Sequence, residues 1–200
     1  MQKKVISAIQ ESINALLNKD SLLIEDTFRK EKEIDSLERD IEQECLKILL
    51  MEHPVAGDFR EVSAALKMIT DLERIGDQSA DIAELILEMK EMDSFLMIGH
   101  IQDMAKIATK MVKEALDAFH QHDLNHALEV KKMDIKMDEL FDQVKKDIIQ
   151  MIKESNDKGD LTINFLMIAK YFERIGDHVV NICEWIEFNQ TGKLNNTRLI

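Results

Sequence analysis

The sequence predicts an all-α protein built as two tandem three-helix bundles, six long antiparallel helices carrying an internal repeat. Three observations predict it. Apolar residues recur at intervals of three and four almost throughout the chain. Helix breakers are scarce, with one proline (Pro54) and six glycines in 200 residues. The chain also repeats itself, because Asp71-Leu72-Glu73-Arg74-Ile75-Gly76-Asp77 and Tyr171-Phe172-Glu173-Arg174-Ile175-Gly176-Asp177 share Glu-Arg-Ile-Gly-Asp at a displacement of half the length. A β-sandwich or barrel needs many turns and β-branched or aromatic positions, which 5 % aromatic residues and so few turn residues do not supply.

The first helix is expected from about Gln2 to Asn18, ending before Asp20-Ser21, where Asp20 suits the N-cap of the second. The second carries Ile24, Phe28, Ile34, Leu37, Ile41, Cys45 and Ile48 to about Met51. His53-Pro54-Val55-Ala56-Gly57 is the clearest break, and Asp58 is the expected cap of a third helix that ends near Met92. Asp93-Ser94 would cap the fourth, to about His120, and Asp123 would open the fifth. Asn156-Asp157-Lys158-Gly159-Asp160 forms the second obvious loop, and the sixth helix runs from Leu161 to about Phe188. The expected organisation is a first repeat over residues 1–92, a second over 93–190 and a polar tail over 191–200.

The charge balance excludes several function classes. With 26 basic and 39 acidic residues the net charge is −13, and no basic stripe is present, so nucleic acid is not an expected partner. No apolar run reaches the roughly 18 residues of a membrane span. The N-terminal apolar stretch also breaks too early for a signal peptide. Cys45 and Cys183 lie far apart in acidic helical contexts and read as reduced, buried thiols of a cytoplasmic protein.

One spacing stands out among the acids, a carboxylate followed four positions later by another. On the third and sixth helices the sets are Glu73/Asp77, extended by Asp81, and Glu173/Asp177, extended by Asn181. On the second and fifth they are Glu31/Asp35 and Asp134/Asp138. Residues four apart share a helix face, where like charges cost a few tenths of a kcal/mol. With 39 acids, about seven such pairs arise by chance, most of them as solvated surface. These pairs differ in falling at equivalent places in both repeats, beside glycines that cost about 1 kcal/mol in a helix interior. Gly76 and Gly176 therefore suggest a close helix approach. Angular spacing puts the carboxylates at the border of the apolar stripe, a bundle seam. Two helices each presenting such a pair offer four or more oxygens to a hard or borderline cation, iron, manganese, zinc or magnesium.

No Glu-x-x-His occurs in these helices, so an enclosed di-iron oxygenase site is not expected. His122 and His126 share a helix face but lack a third ligand in register, and a solvated junction is the simpler reading. Arg74 and Arg174 adjoin glutamates and are expected to pair with carboxylates. There is no Gly-rich phosphate loop, no Ser/His/Asp arrangement and no activated cysteine, so no catalytic residue is assigned. A metal-dependent hydrolase would need a general base that no His or Cys is placed to supply.

The doubled Glu-Arg-Ile-Gly-Asp, with Pro54-Val55-Ala56-Gly57-Asp58-Phe59-Arg60 before the first copy and Asp177-His178-Val179-Val180-Asn181-Ile182 across the second, resembles the PhoU family from about Val5 to Phe188. The resemblance implies a non-catalytic negative regulator of phosphate uptake and phosphate-starvation signalling. Such a protein contacts a phosphate ABC transporter and its sensor histidine kinase. It also implies multinuclear iron or zinc clusters held by Glu31, Asp35, Glu73, Asp77 and Asp81 in one half, and by Asp134, Asp138, Glu173 and Asp177 in the other. Asn181 stands where the first half has Asp81, which implies weaker or fewer ions in the second site. The first helix is shorter than its counterpart, leaving an edge for a partner or a second copy in a homodimer to cover. The alternative reading is a cytosolic PhoU-like domain of a sodium/phosphate symporter.

Overall fold

A computed structural model describes residues 1–89, 95–154, 159–194 and 197–198. The elements are α1 (Gln2–Asn18), α2 (Ser21–Met51), α3 (Gly57–Glu88), α4 (Phe95–Gln121), α5 (Leu124–Glu154) and α6 (Gly159–Thr191). A two-residue strand pair, β1 (Lys193–Leu194) with β2 (Thr197–Arg198), follows.

The first joint of each half has the same construction. Lys19 adopts a left-handed φ of 54° and Asp20 then caps α2, its Oδ1 accepting from the Leu22 N–H at 2.9 Å. His122, at φ 53°, precedes Asp123, whose Oδ1 accepts from the His126 N–H at 3.0 Å to open α5. An Asp side chain satisfies amides that a helix start leaves without partners, so both caps follow from residue type. The expected Asp58 cap is corrected, because the N-cap is Ala56, with φ 44° and no side-chain bond, and Asp58 lies inside the first turn of α3. The bend at the expected break is made by backbone at His53 (φ 47°) and Ala56, on either side of Pro54, with no side-chain cap. Likewise α3 ends at Glu88 and not near Met92, while α6 begins at Gly159 and continues to Thr191. The expected Asp93-Ser94 cap and the residues Asn156, Asp157 and Lys158 lie outside the described residues.

Each half packs its three helices together, and the halves join through α3 against α6, the most extensive helix contact, and through α1 against α4. Helices α2 and α5 lie on opposite flanks, each touching, among the described residues, only the first and third helices of its own half. One hydrophobic cluster runs through both halves, with Ile9, Ile34, Ile75, Met111, Met137 and Phe172 among its fully buried members. Burying each such side chain contributes about 1.5–3 kcal/mol, so the halves are held by a shared core and not by a linker. Cys45 and Cys183 are free and buried, and burial pushes the Cys183 thiol up to about 12, which leaves it unreactive. Among the described residues no helix is long and apolar enough to cross a membrane.

Candidate metal centre

The seams that α2 makes with α3, and α5 with α6, gather the paired acids. In the first seam the carboxylates of Glu31 and Asp35 on α2 and Asp77 on α3 each bring an oxygen within 4.8 Å of the others. All three are half-buried, and the Asp35 Oδ1 is enclosed with no hydrogen-bond partner among the described residues. An enclosed carboxylate oxygen without a donor costs free energy unless a proton or a cation meets it.

The titration behaviour reports the same crowding. Burial first, then the charges of Asp35 and Asp77, pushes the Glu31 carboxyl above its usual range. Burial and the Asp77 charge raise Glu73, with the Arg74 guanidinium opposing and Asp35 and Glu38 adding to the rise. Asp77 is raised by burial against the opposing Arg74. Asp81 is raised by burial and by Asp77 and Glu84. The exposed Arg74 pairs along α3 itself, its Nη1 donating to Asp77 Oδ2 at 3.0 Å and its Nε standing 3.4 Å from Glu73 Oε2.

The second seam uses equivalent positions. Burial, then Asp138, Asp177 and Glu173, pushes the Asp134 carboxyl up to about 6, and its Oδ1 is enclosed without a hydrogen-bond partner among the described residues. Asp177 is raised by burial and by Glu173, with Lys170 opposing. Lys170 is also bonded to Glu173. Asp138 and Asp177 are exposed, and among the described residues no three acids of this half converge as Glu31, Asp35 and Asp77 do.

The two glycines explain how the seams close. A Cβ at Gly76 would meet Ile34 Cδ1 at 3.0 Å, so the missing side chain lets the core residue of α2 lie against α3. A Cβ at Gly176 would meet Asp134 Oδ1 at 2.7 Å and Met137 Cγ at 3.3 Å, so there a carboxylate and the core residue of α5 share the space. Asn181 turns elsewhere: its Nδ2 donates to Asp71 Oδ1 at 3.2 Å, and His178 Nδ1 lies 2.9 Å from the same oxygen. These residues tie α3 to α6 across the boundary between halves. Asp71 and His178 lie too far apart in sequence to give a local signal of their contact, whereas the i,i+3 spacing of Lys170 and Glu173 is a signal that could have found that pair. His126 bonds to Glu114 at 2.7 Å and belongs to the α4–α5 joint.

Each seam thus offers carboxylate oxygens, one of them enclosed without a donor, which suits the hard or borderline cations expected from the sequence. The class defined by fold and site is an internally repeated helical bundle bearing an acidic cleft on each flank. The PhoU domain family model matches the chain twice, over residues 1–86 and 101–186. The chain belongs to the PhoU family. It is 34 % identical over 202 residues to the phosphate-specific transport system accessory protein PhoU homolog of Borreliella burgdorferi, covering 98 % of this chain and 91 % of that one. It is 32 % identical over 186 residues to the homolog of the same name from Clostridium acetobutylicum, covering 92 % and 85 %. The crystal structure of PhoU from Pseudomonas aeruginosa superposes with a TM-score of 0.91 at 30 % identity, covering 96 % of this chain and 93 % of that one. That of the phosphate transport system regulatory protein PhoU from Streptococcus pneumoniae gives 0.89 at 28 %, covering 96 % and 91 %.

Proposed function

We propose that this chain is a non-catalytic cytoplasmic regulator of phosphate uptake whose two acidic clefts bind metal ions. Iron or zinc is the preferred occupant, with more than one ion per cleft, and magnesium or manganese are the alternatives. The observation that carries the reading is the convergence of Glu31, Asp35 and Asp77 around an enclosed, unpartnered Asp35 oxygen. Relatives bearing the name of phosphate transport accessory proteins over most of their length supply the process.

In the first cleft Glu31, Asp35, Glu73, Asp77 and Asp81 would hold the ions, and in the second Asp134, Asp138, Glu173 and Asp177. Asn181, engaged with Asp71, is the weakest member of the set. A bound cation offsets the like charges gathered in each cleft and draws each flanking helix onto its seam. Removing the nine proposed carboxylates from the net charge of −13 leaves −4, so the excess acidity is concentrated at the clefts. Metal therefore sets the geometry and charge of the flanks that would face a phosphate ABC transporter and its sensor histidine kinase.

Deleting the gene and measuring phosphate-starvation transcripts in high phosphate tests the regulatory half of the reading. Derepression is expected, restored by the wild-type chain and not by a variant with Glu73, Asp77, Glu173 and Asp177 all changed to Ala. Unchanged transcripts in the deletion overturn it.

A further inference from the structure

The two clefts rest on the same motif but are balanced by different cations. In the first, Arg74 pairs with Glu73 and Asp77 along its own helix. Arg174, at the same motif position in the second half, bears instead on Asp81 across the boundary, where its charge opposes the rise of that carboxyl. The second cleft takes its cation from outside the motif. Lys170 Nζ donates to Glu173 Oε2, and the lysine charge opposes the rise of Asp177. The Glu173 side chain is 15 % exposed against 41 % for Lys170, so the ammonium covers the carboxylate from solvent.

That ammonium is also seated on the opposite helix. It lies 5.6 Å from the centroid of the Phe141 ring on α5, and Lys145 Nζ lies 4.8 Å from the same centroid. A ring face attracts a cation, so Lys170 is held between a carboxylate of α6 and an aromatic ring of α5. The first half has no such seat among the described residues. Thr70 stands where Lys170 does, exposed, with its hydroxyl donating back to the Leu66 carbonyl at 3.4 Å. Glu38 and Glu42 take the places of Phe141 and Lys145, and the Glu38 charge adds to the rise of Glu73.

We propose that Lys170 is the resident counter-ion of the second cleft, released from Glu173 when a divalent cation enters and left on the Phe141 ring beside Lys145. The inference rests on the clefts being metal sites, and adds what governs the loading of one of them. An ion entering the second cleft must break the Lys170–Glu173 pair and then lie near an ammonium tethered at its edge, where like charges repel. Lys170 therefore lowers the affinity of this cleft without being a ligand. Its release frees an ammonium next to Lys145, so loading changes the charge pattern of the α5 flank. Thr70 imposes no such exchange on the first cleft, which fills at lower metal concentration.

Zinc alone is titrated calorimetrically into the chelator-stripped full chain, with the first cleft disabled by Asp35→Ala and Asp77→Ala. Lys170→Met, which keeps an apolar stem and removes the charge, should tighten zinc binding about tenfold at about 20 mM salt and about threefold at about 0.5 M. Lys170→Arg, which keeps the charge, should stay within about twofold of the parent, a rescue that loss of packing would not give. With the second cleft disabled by Asp134→Ala and Asp177→Ala, Thr70→Lys should weaken zinc binding to the first at least about threefold. Thermal melting should show a larger zinc-induced rise for Lys170→Met than for the parent. Affinity of the second cleft that Lys170→Met leaves unchanged, weakened or absent overturns the proposal while zinc in the first cleft keeps the metal reading standing. So does a gain as large at high salt as at low. A wild-type chain that takes up no zinc overturns both.

Discussion

In the first cleft Glu31, Asp35 and Asp77 stand within 4.8 Å of one another, and a Cβ at Gly76 would strike an Ile34 that is fully buried. In the second, Asp134 reaches the backbone of α6 at Gly176, while Asp138 and Asp177 remain exposed. One repeat has therefore produced two seams with different closing elements. Hydrocarbon alone closes the first and leaves the carboxylates free to converge; in the second, Met137 shares the contact with a carboxylate that is held there at the cost of desolvation. The lesson is that a shared motif fixes where acids lie on a helix, while the residue facing the motif glycine decides which of them meet.

The largest effect that can break this comparison is metal-induced stabilisation. Chelated protein given ferrous iron or zinc at about 100 times the dissociation constant should gain about 2.7 kcal/mol. For a chain of this size that is a rise of roughly 5–10 °C in melting temperature. Changing Asp35 and Asp77 to Ala should remove most of the gain, and changing Asp134 and Asp177 to Ala should remove less. The reverse order would show that convergence does not govern affinity.

The glycines come next. Gly76→Ala forces a methyl onto buried Ile34 and should destabilise chelated protein by about 1–2 kcal/mol, net of the helix propensity Ala gains. Gly176→Ala displaces a carboxyl that can swing toward solvent and presses on the flexible Met137 side chain, whose Cγ would lie 3.3 Å away, so with the propensity gain chelated protein should stay within about 1 kcal/mol of wild type. Metal binding in the second cleft should weaken nonetheless. Urea unfolding of both variants checks the contrast, and equal losses would remove it.

Asp134 gives a smaller, pH-dependent effect. Its carboxyl titrates at about 6 in the folded chain, against about 3.9 unfolded, so between those values the folded state holds the extra proton. Stability of the metal-free protein should therefore fall as pH rises from about 4 to about 6 and stay lower above it. The loss should be about 1 kcal/mol once solvent screening at this part-exposed site is allowed for. Asp134→Asn should flatten that part of the pH profile. Smallest of all, Arg74→Ala removes an exposed ion pair and should cost chelated protein no more than about 0.5 kcal/mol, read as a shift in the urea midpoint.

Much of this was legible in the sequence because periodicity and capping act locally. The six helices, the Asp20 and Asp123 caps and the seam position of the paired acids all follow from residue type and spacing. The break at His53–Gly57 before α3 was legible, but its cap was not, since positive-φ backbone at His53 and Ala56 turns the chain and no side chain caps the helix. The expected close approach at the two glycines is what the structure has, but spacing did not say that one would face Ile34 and the other Asp134. Nor did it show Asn181 turning to Asp71, a contact set by how α3 crosses α6. Convergence of three carboxylates depends on side-chain direction across two helices, which spacing along one helix does not determine.

Elemental analysis of protein purified without chelator tests the central claim most directly, comparing wild type with the variant in which Glu73, Asp77, Glu173 and Asp177 are all Ala. The account predicts stoichiometric iron or zinc in the wild type and loss of that metal from the folded variant. Equal metal in the two proteins would contradict it, leaving these carboxylates as helix-surface charge.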